Sequence, residues 1–154
     1  MKLLHILLFV ISFSLISCNG FNEKPKTAEQ LRFELKTKEV NHPMQYLSNQ
    51  NVTLKPLSKK VRNAGLFREA EYVDDGALIQ GNITNKASLA KYKDLKITLS
   101  FYSRTKTLID KQSYVLYDYY KPNTTKQFKI KIKKLPQDYV NFSFIINGAT
   151  GLYK

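Results

Sequence analysis

Cysteine is all but missing from this 154-residue chain, and Cys18 stands alone. No intramolecular disulfide can form, and no cysteine cluster can hold a metal. Histidine is nearly as scarce, with only His5 and His42. His5 lies in an apolar leader that export would remove, so His42 is left as the one imidazole; no His-based metal cluster can be built, and a Ser-His-Asp arrangement would have to use His42. That residue precedes Pro43, and no glycines of a nucleophile elbow accompany it. Acidic residues are also few, 12 against 25 Lys and Arg, and none of the glutamates lies beyond Glu71. The long C-terminal part therefore offers only isolated aspartates, which is thin material for paired-carboxylate hydrolysis. The adjacent pair Asp74-Asp75 is followed by Gly76, so a tight turn explains it better than a cation site does. We expect no enzyme: no catalytic residue, no metal and no cofactor.

What is present begins with a leader. Met1-Lys2 and an apolar run over residues 3–16 have the charged and hydrophobic regions of an export signal. The run is too short for a comfortable membrane span. Its end, Leu15-Ile16-Ser17-Cys18, resembles the lipobox of bacterial lipoproteins: an aliphatic residue, a tolerant position, a small residue and a cysteine. The resemblance implies cleavage before Cys18, which becomes the lipidated first mature residue, with two or more acyl chains giving stable attachment. It also gives the lone thiol a use in an oxidising compartment, where it has no partner. Asn19 is not the Asp that retains such proteins in the enterobacterial inner membrane, so the resemblance points to the outer membrane of a Gram-negative cell envelope.

The leader occupies residues 1–17, and the rest is enough chain for one domain with a real core. The net charge is +13, and Lys2 is the only basic residue that leaves with the leader. A basic exported protein prefers anionic neighbours: lipid head groups, acidic glycans or an acidic envelope protein partner. Nucleic acid is excluded as a partner, because no nucleic-acid fold signature accompanies the charge and the leader sends the chain out of the cytoplasm.

Residues 18–26 are polar, include Pro25 and lack periodicity, so they read as a lipidated tether reaching roughly 30 Å when extended. Thr27 with Gln30 forms a capping-box pattern, and Ala28, Leu31 and Leu35 share a helical face. A short amphipathic helix over residues 28–40 and a connection follow within 27–47, and Asn41-His42-Pro43 stops the helix. From 48 to 154 the period changes to two. Val52 and Leu54 precede Pro56 in an edge or first strand. Asp75-Gly76, between 69–73 and 77–84, has the form of a hairpin turn, and Ile79 and Ile83 share a face.

Leu95, Ile97, Leu99 and Phe101 alternate with Lys96, Thr98, Ser100 and Tyr102, which predicts a strand with a buried and a wet face. Further strands follow over 108–119 and around Phe128, Ile130 and Ile132, then Val140, Phe142, Phe144 and Ile146. About seven strands with turns near every tenth residue, and no crossover helices, predict a mainly β fold. The expected architecture is an antiparallel Ig-like β-sandwich with one short N-terminal helix.

Gly81-Asn82-Ile83-Thr84-Asn85, then Tyr92-Lys93-Asp94-Leu95 running into Phe101-Tyr102, then Pro122 with Thr124-Thr125 before Phe128, resembles the FxLYD-type and related Ig-like modules of prokaryotic envelope proteins. The resemblance covers residues 76–146, roughly half of the chain. It implies a fold and an address and brings no catalytic residues.

Two groups of side chains stand out as a candidate binding face. Lys129, Lys131 and Lys133 fall on one side of a strand, as a solvated edge or as a strip for anionic lipid or glycan. Tyr114, Tyr117, Tyr119 and Tyr120 are the aromatic counterpart, either rim-of-core residues or stacking surfaces. The functional reading is a lipid-anchored, non-enzymatic envelope protein whose sandwich is an interaction or assembly module. Its alternative is a ligand-binding lipoprotein with a Lys/Tyr-rich face for an acidic glycan or anionic lipid head group.

Overall fold

The computed structural model describes residues 24–153, so the leader and Cys18 lie outside the described residues. Helix α1, Ala28–Asn41, begins with the expected capping box: Gln30 N–H donates to Thr27 Oγ1 at 3.3 Å, and Thr27 N–H donates to Gln30 Oε1 at 2.9 Å. A 3-10 turn at Pro43–Gln45 follows, then six strands: β1 Leu47–Arg62, β2 Glu71–Asn85, β3 Lys91–Tyr102, β4 Leu108–Leu116, β5 Thr124–Ile132 and β6 Asn141–Leu152. They form two antiparallel sheets of three, in the orders β1-β2-β5 and β4-β3-β6.

Alternation fills the space between the sheets. Ile79 and Ile83 of β2, Leu95, Ile97, Leu99 and Phe101 of β3, and Phe128, Ile130 and Ile132 of β5 are all buried. Phe128 stacks on Phe144 with ring centroids 4.9 Å apart, joining β5 of one sheet to β6 of the other. Gly81 is tight because a Cβ there would come within about 3 Å of the Phe128 ring and Val52. Both sheets, the core between them and the closing helix lie within residues 24–153, so this segment carries what it needs to fold as a unit.

Six strands replace the seven expected because Asp75-Gly76 is not a hairpin turn. β2 runs straight through it, and two residues, Asp75 and Gly76, oppose the single Leu57 of β1 in a bulge. Gly76 has φ 80°, its N–H donates to Asp74 Oδ1 at 2.9 Å, and a Cβ would sit 1.9 Å from the Ile132 carbonyl oxygen. The glycine is required there, but by a bulge and a close approach to β5 rather than by a chain reversal. β1 likewise continues through Pro56, which an edge strand tolerates because no ladder N–H is needed there.

The helix does not use its apolar stripe on the core. Leu31 and Leu35 remain exposed, and the fully buried helical side chain is Glu39. Its carboxylate accepts three backbone N–H groups from the β2–β3 loop, Ser88 at 2.7 Å and Leu89 and Ala90 at 2.8 Å. Its backbone carbonyl accepts the Tyr92 hydroxyl at 2.7 Å. Beside it Asn85, also buried, donates to the Ala90 and Tyr120 carbonyls and accepts from Ala87 N–H. Gly151 admits the helix end, since a Cβ there would lie 2.7 Å from the Val40 carbonyl oxygen.

Leu99→Ala, at a fully buried site, should cost about 2–5 kcal/mol in chemical denaturation, while Lys131→Gln should stay within about 0.5 kcal/mol. Thr98 does not share the silence expected of a wet face. Flanked by β4 and β6 it is buried, it accepts from Asn147 Nδ2 at 2.9 Å, and Thr98→Ala should cost about 1 kcal/mol. Glu39→Gln should cost about 3 kcal/mol, because an amide cannot satisfy three donors and brings two of its own. Hydrogen exchange should show the loss first at the amides of residues 88–90; unchanged protection there would refute the role given to Glu39.

Candidate interaction surface

Lys129 and Lys131 point outward from β5, an edge strand, and Lys133 is exposed just past its end. Across β2 their partners are Gln80 and Leu78, and beyond Leu78 lies Lys55 of β1, so Lys55 and Lys131 belong to one row of the outer sheet face. Lys131 Nζ meets Asp75 Oδ2 at 2.7 Å, both groups half in water. Asp74 is engaged by Gly76 N–H, so the acidic pair is accounted for by the bulge and the lysine row. His42 is the C-cap of α1, its N–H donating to the Lys38 carbonyl. Among the described residues no group of three His, Cys, Asp or Glu side chains is placed to share a cation.

The four tyrosines do not join the lysines in a single face. Tyr114 belongs to β4 of the other sheet, packs partly on the core, and donates to Gln112 Oε1 at 2.7 Å; Gln112 in turn donates to Asp110 Oδ2. Burial and then the Asp110 carboxylate raise its hydroxyl above the ordinary tyrosine range. Tyr117 is 84% exposed, and Tyr119 lies under the Lys91 ammonium, 4.1 Å from the ring centroid. Tyr120 is completely buried and corrects the expectation: it offers no surface, and its backbone pairs with Tyr92 to close the end of the sandwich. Alternation could not show this, because Tyr117, Tyr119 and Tyr120 follow the end of β4 and have no strand period.

The surface that sequence reasoning missed is a β-ribbon. Pairing of β2 with β5 stops at Ala77 and Ile132, yet β1 and β2 stay paired out to Arg62 and Glu71. Residues 71–76 thus carry the hairpin about 20 Å past the body of the sandwich. Its apex is Leu66-Phe67, closed by reciprocal hydrogen bonds between Gly65 and Arg68, 2.8 and 3.3 Å long. Leu66 is 92% exposed and Phe67 96%. Below the apex Arg62 pairs with Glu71 at 2.7 Å, Lys60 is opposite Tyr72, and Lys59 is opposite Val73. Tyr72, Val73 and Val61 are exposed as well. The lysine row lies at the root of this ribbon through the Lys131–Asp75 pair and Lys55.

A shallow depression of about 390 Å³ lies on the outer face of the β4-β3-β6 sheet, floored by Thr98 and Ser100 and edged by Lys111, Ile145 and Asn147. It is open and carries no cluster of reactive groups.

No family model and no curated protein matches the sequence. Among solved structures the chain is similar to the Salmonella enterica trimeric lipoprotein SadB, with a TM-score of 0.38 and 10% identity over 95% of this chain and 77% of that one. A likeness of that degree carries no functional argument.

The closed end of the sandwich should be sensitive to alkali. Burial and then the Asp118 carboxylate push the Tyr120 hydroxyl up to about 12. Burial, then Glu39, then Tyr46 raise Tyr92 above the ordinary range. Because these folded-state values exceed the unfolded value of 10.0, their stabilising effect is complete below pH 10 and is lost as pH rises from there through the folded values. Thermal unfolding midpoints should therefore fall above pH 10 in the wild type and fall less in Tyr120→Phe.

Proposed function

We propose that this chain is a non-enzymatic, lipid-anchored protein of the cell envelope, held through Cys18 in the outer membrane of a Gram-negative bacterium, with its sandwich acting as an interaction module. The single observation that carries the anchor is the lone cysteine placed directly after an export-type apolar run, in Leu15-Ile16-Ser17-Cys18. Residues 18–26 then serve as the tether, and α1 connects it to the domain. The Ig-like reading is supported by the strand order, in which β2 pairs with β1 and β5 while β3 pairs with β4 and β6.

The interaction role is supported by where apolar and basic side chains are spent. A sandwich with its core filled has no structural use for Leu66 and Phe67 at a ribbon apex, nor for a lysine row on its outer face. A second reading, an acidic glycan or anionic head group held on the basic face, is favoured by Lys55, Lys129, Lys131 and Lys133 acting as a strip. Tyr117 and Tyr119 are exposed in the β4–β5 connection and lie outside that strip.

Intact-mass measurement of the full chain extracted from membranes should show a diacylglyceryl group on the wild type. In Cys18→Ser the leader should remain uncleaved at this site and the lipid should be absent. A wild-type chain without lipid would overturn the anchor.

A further inference from the structure

The geometry points to the apex of the β1–β2 ribbon as a membrane-inserting element: Leu66 and Phe67 enter the interfacial layer of an anionic bilayer while Arg68 and the cations of the ribbon engage its head groups. The proposal rests on the ribbon and stands whether or not Cys18 carries lipid.

Turn chemistry supplies the first argument. The two apex positions of a tight hairpin favour Gly, Asn, Asp or Ser, whose backbone or side chains suit the reversal. Here they hold two bulky apolar residues that touch almost nothing, at 92% and 96% exposure. They contribute nothing to the core, so their burial must come from something outside the chain, or not at all.

Charge supplies the second. Over residues 59–73, whose ends Lys59 and Val73 face each other, there are four cations, Lys59, Lys60, Arg62 and Arg68, against Glu69 and Glu71, and Arg68 adjoins Phe67 directly; Asp74 and Asp75 lie at the root of the ribbon, where Asp75 is paired with Lys131. An apolar tip with basic flanks is complementary to a surface that is apolar below and anionic above, which is the order of an acidic phospholipid bilayer from inside to outside. Shape agrees. A convex apex on a narrow ribbon requires no preformed socket, because a fluid bilayer opens around it, whereas a protein partner would need an apolar cleft rimmed by acids.

The chain contains no tryptophan, so Phe67→Trp gives a single reporter in the 24–153 segment. With vesicles of phosphatidylcholine and phosphatidylglycerol its emission should shift to the blue and be quenched by lipids brominated along the acyl chains. With phosphatidylcholine alone the response should be much weaker, and salt should weaken it in the mixed vesicles. Tyr117→Trp, exposed in the β4–β5 connection, should show neither change. Leu66→Ser with Phe67→Ser should lower binding to the mixed vesicles at least tenfold by flotation, with an unchanged melting temperature because neither residue is packed.

Binding that persists in the double serine variant would assign the contact to charge on the sheet face and overturn the insertion. Absence of any binding to the mixed vesicles would overturn it too. A blue shift produced by lipid-free envelope protein and not by vesicles would give the apex to a protein partner instead.

Discussion

The carboxylate of Glu39 is the point on which the arrangement of this molecule depends. It sits in the last turn of α1, where the negative end of the helix dipole disfavours an acid. It is also buried, which disfavours any charge. Both costs are offset because three consecutive amides of the β2–β3 loop converge on its two oxygens, each a charge-assisted hydrogen bond. The loop amides gain as much as the acid does: residues 88–90 link the two sheets and would otherwise hold unpaired donors against the core. One residue therefore fixes the helix and the crossing between sheets through its side chain and, through its backbone carbonyl, the Tyr92 hydroxyl at the start of β3.

Asn85 extends the same logic to the other side of the loop. Its amide holds the Ala90 and Tyr120 carbonyls, so the β4–β5 connection is drawn onto the same closed end. With Lys86 N–H on the Tyr46 carbonyl and Asn123 N–H on that of Ala87, four segments meet there through backbone groups. The other end is covered by the β5–β6 connection, with Tyr139 edge-on to Phe101 and Val140 N–H on the Tyr102 carbonyl, and there β1 and β2 run out past it as a ribbon.

Much of this was legible in residues, and the failures are instructive. Strict alternation from Leu95 to Tyr102 placed β3 correctly, because the central strand of a sheet packed on a second sheet has one face that must be apolar. The same reasoning erred at Thr98, since side chains of the flanking strands, Asn147 of β6 among them, close over it, while Lys96 on the same face stays exposed. Asp75-Gly76 misled because a bulge and a hairpin both ask for a glycine with positive φ, and local sequence does not distinguish them. The ribbon was invisible for a different reason: periodicity reports burial, and residues 57–74 bury almost nothing. Two signals were nonetheless present. Leu66-Phe67 stood at an apex that turn chemistry would not fill with apolar residues, and Glu39 stood at the wrong end of a helix.

The placement of the ribbon bears on how the proposed anchor and the proposed apex contact would share one membrane. α1 docks at one end of the sandwich, with Lys36 on the Tyr153 carbonyl and Val40 against Gly151, and the 15 residues of β2 run from there along the sheet and up one arm of the ribbon to Glu71. At about 3.3 Å per residue that span approaches 50 Å, more than the roughly 30 Å a tether of eight or nine residues reaches. A molecule standing upright on its anchor would hold the apex away from its own bilayer. The lysine row, however, runs along β5 and faces sideways, so an upright molecule leaves it out of reach of the head groups as well. Lying along the bilayer on the outer face of the β1-β2-β5 sheet sets Lys55 and Lys129 within the ~8–10 Å over which charges act at physiological salt, each contributing about 1 kcal/mol, with Lys131 offset by its pairing with Asp75. In that pose the proposed anchor, the lysine row and the apex address one surface, and the long axis that separates them becomes the length of the footprint.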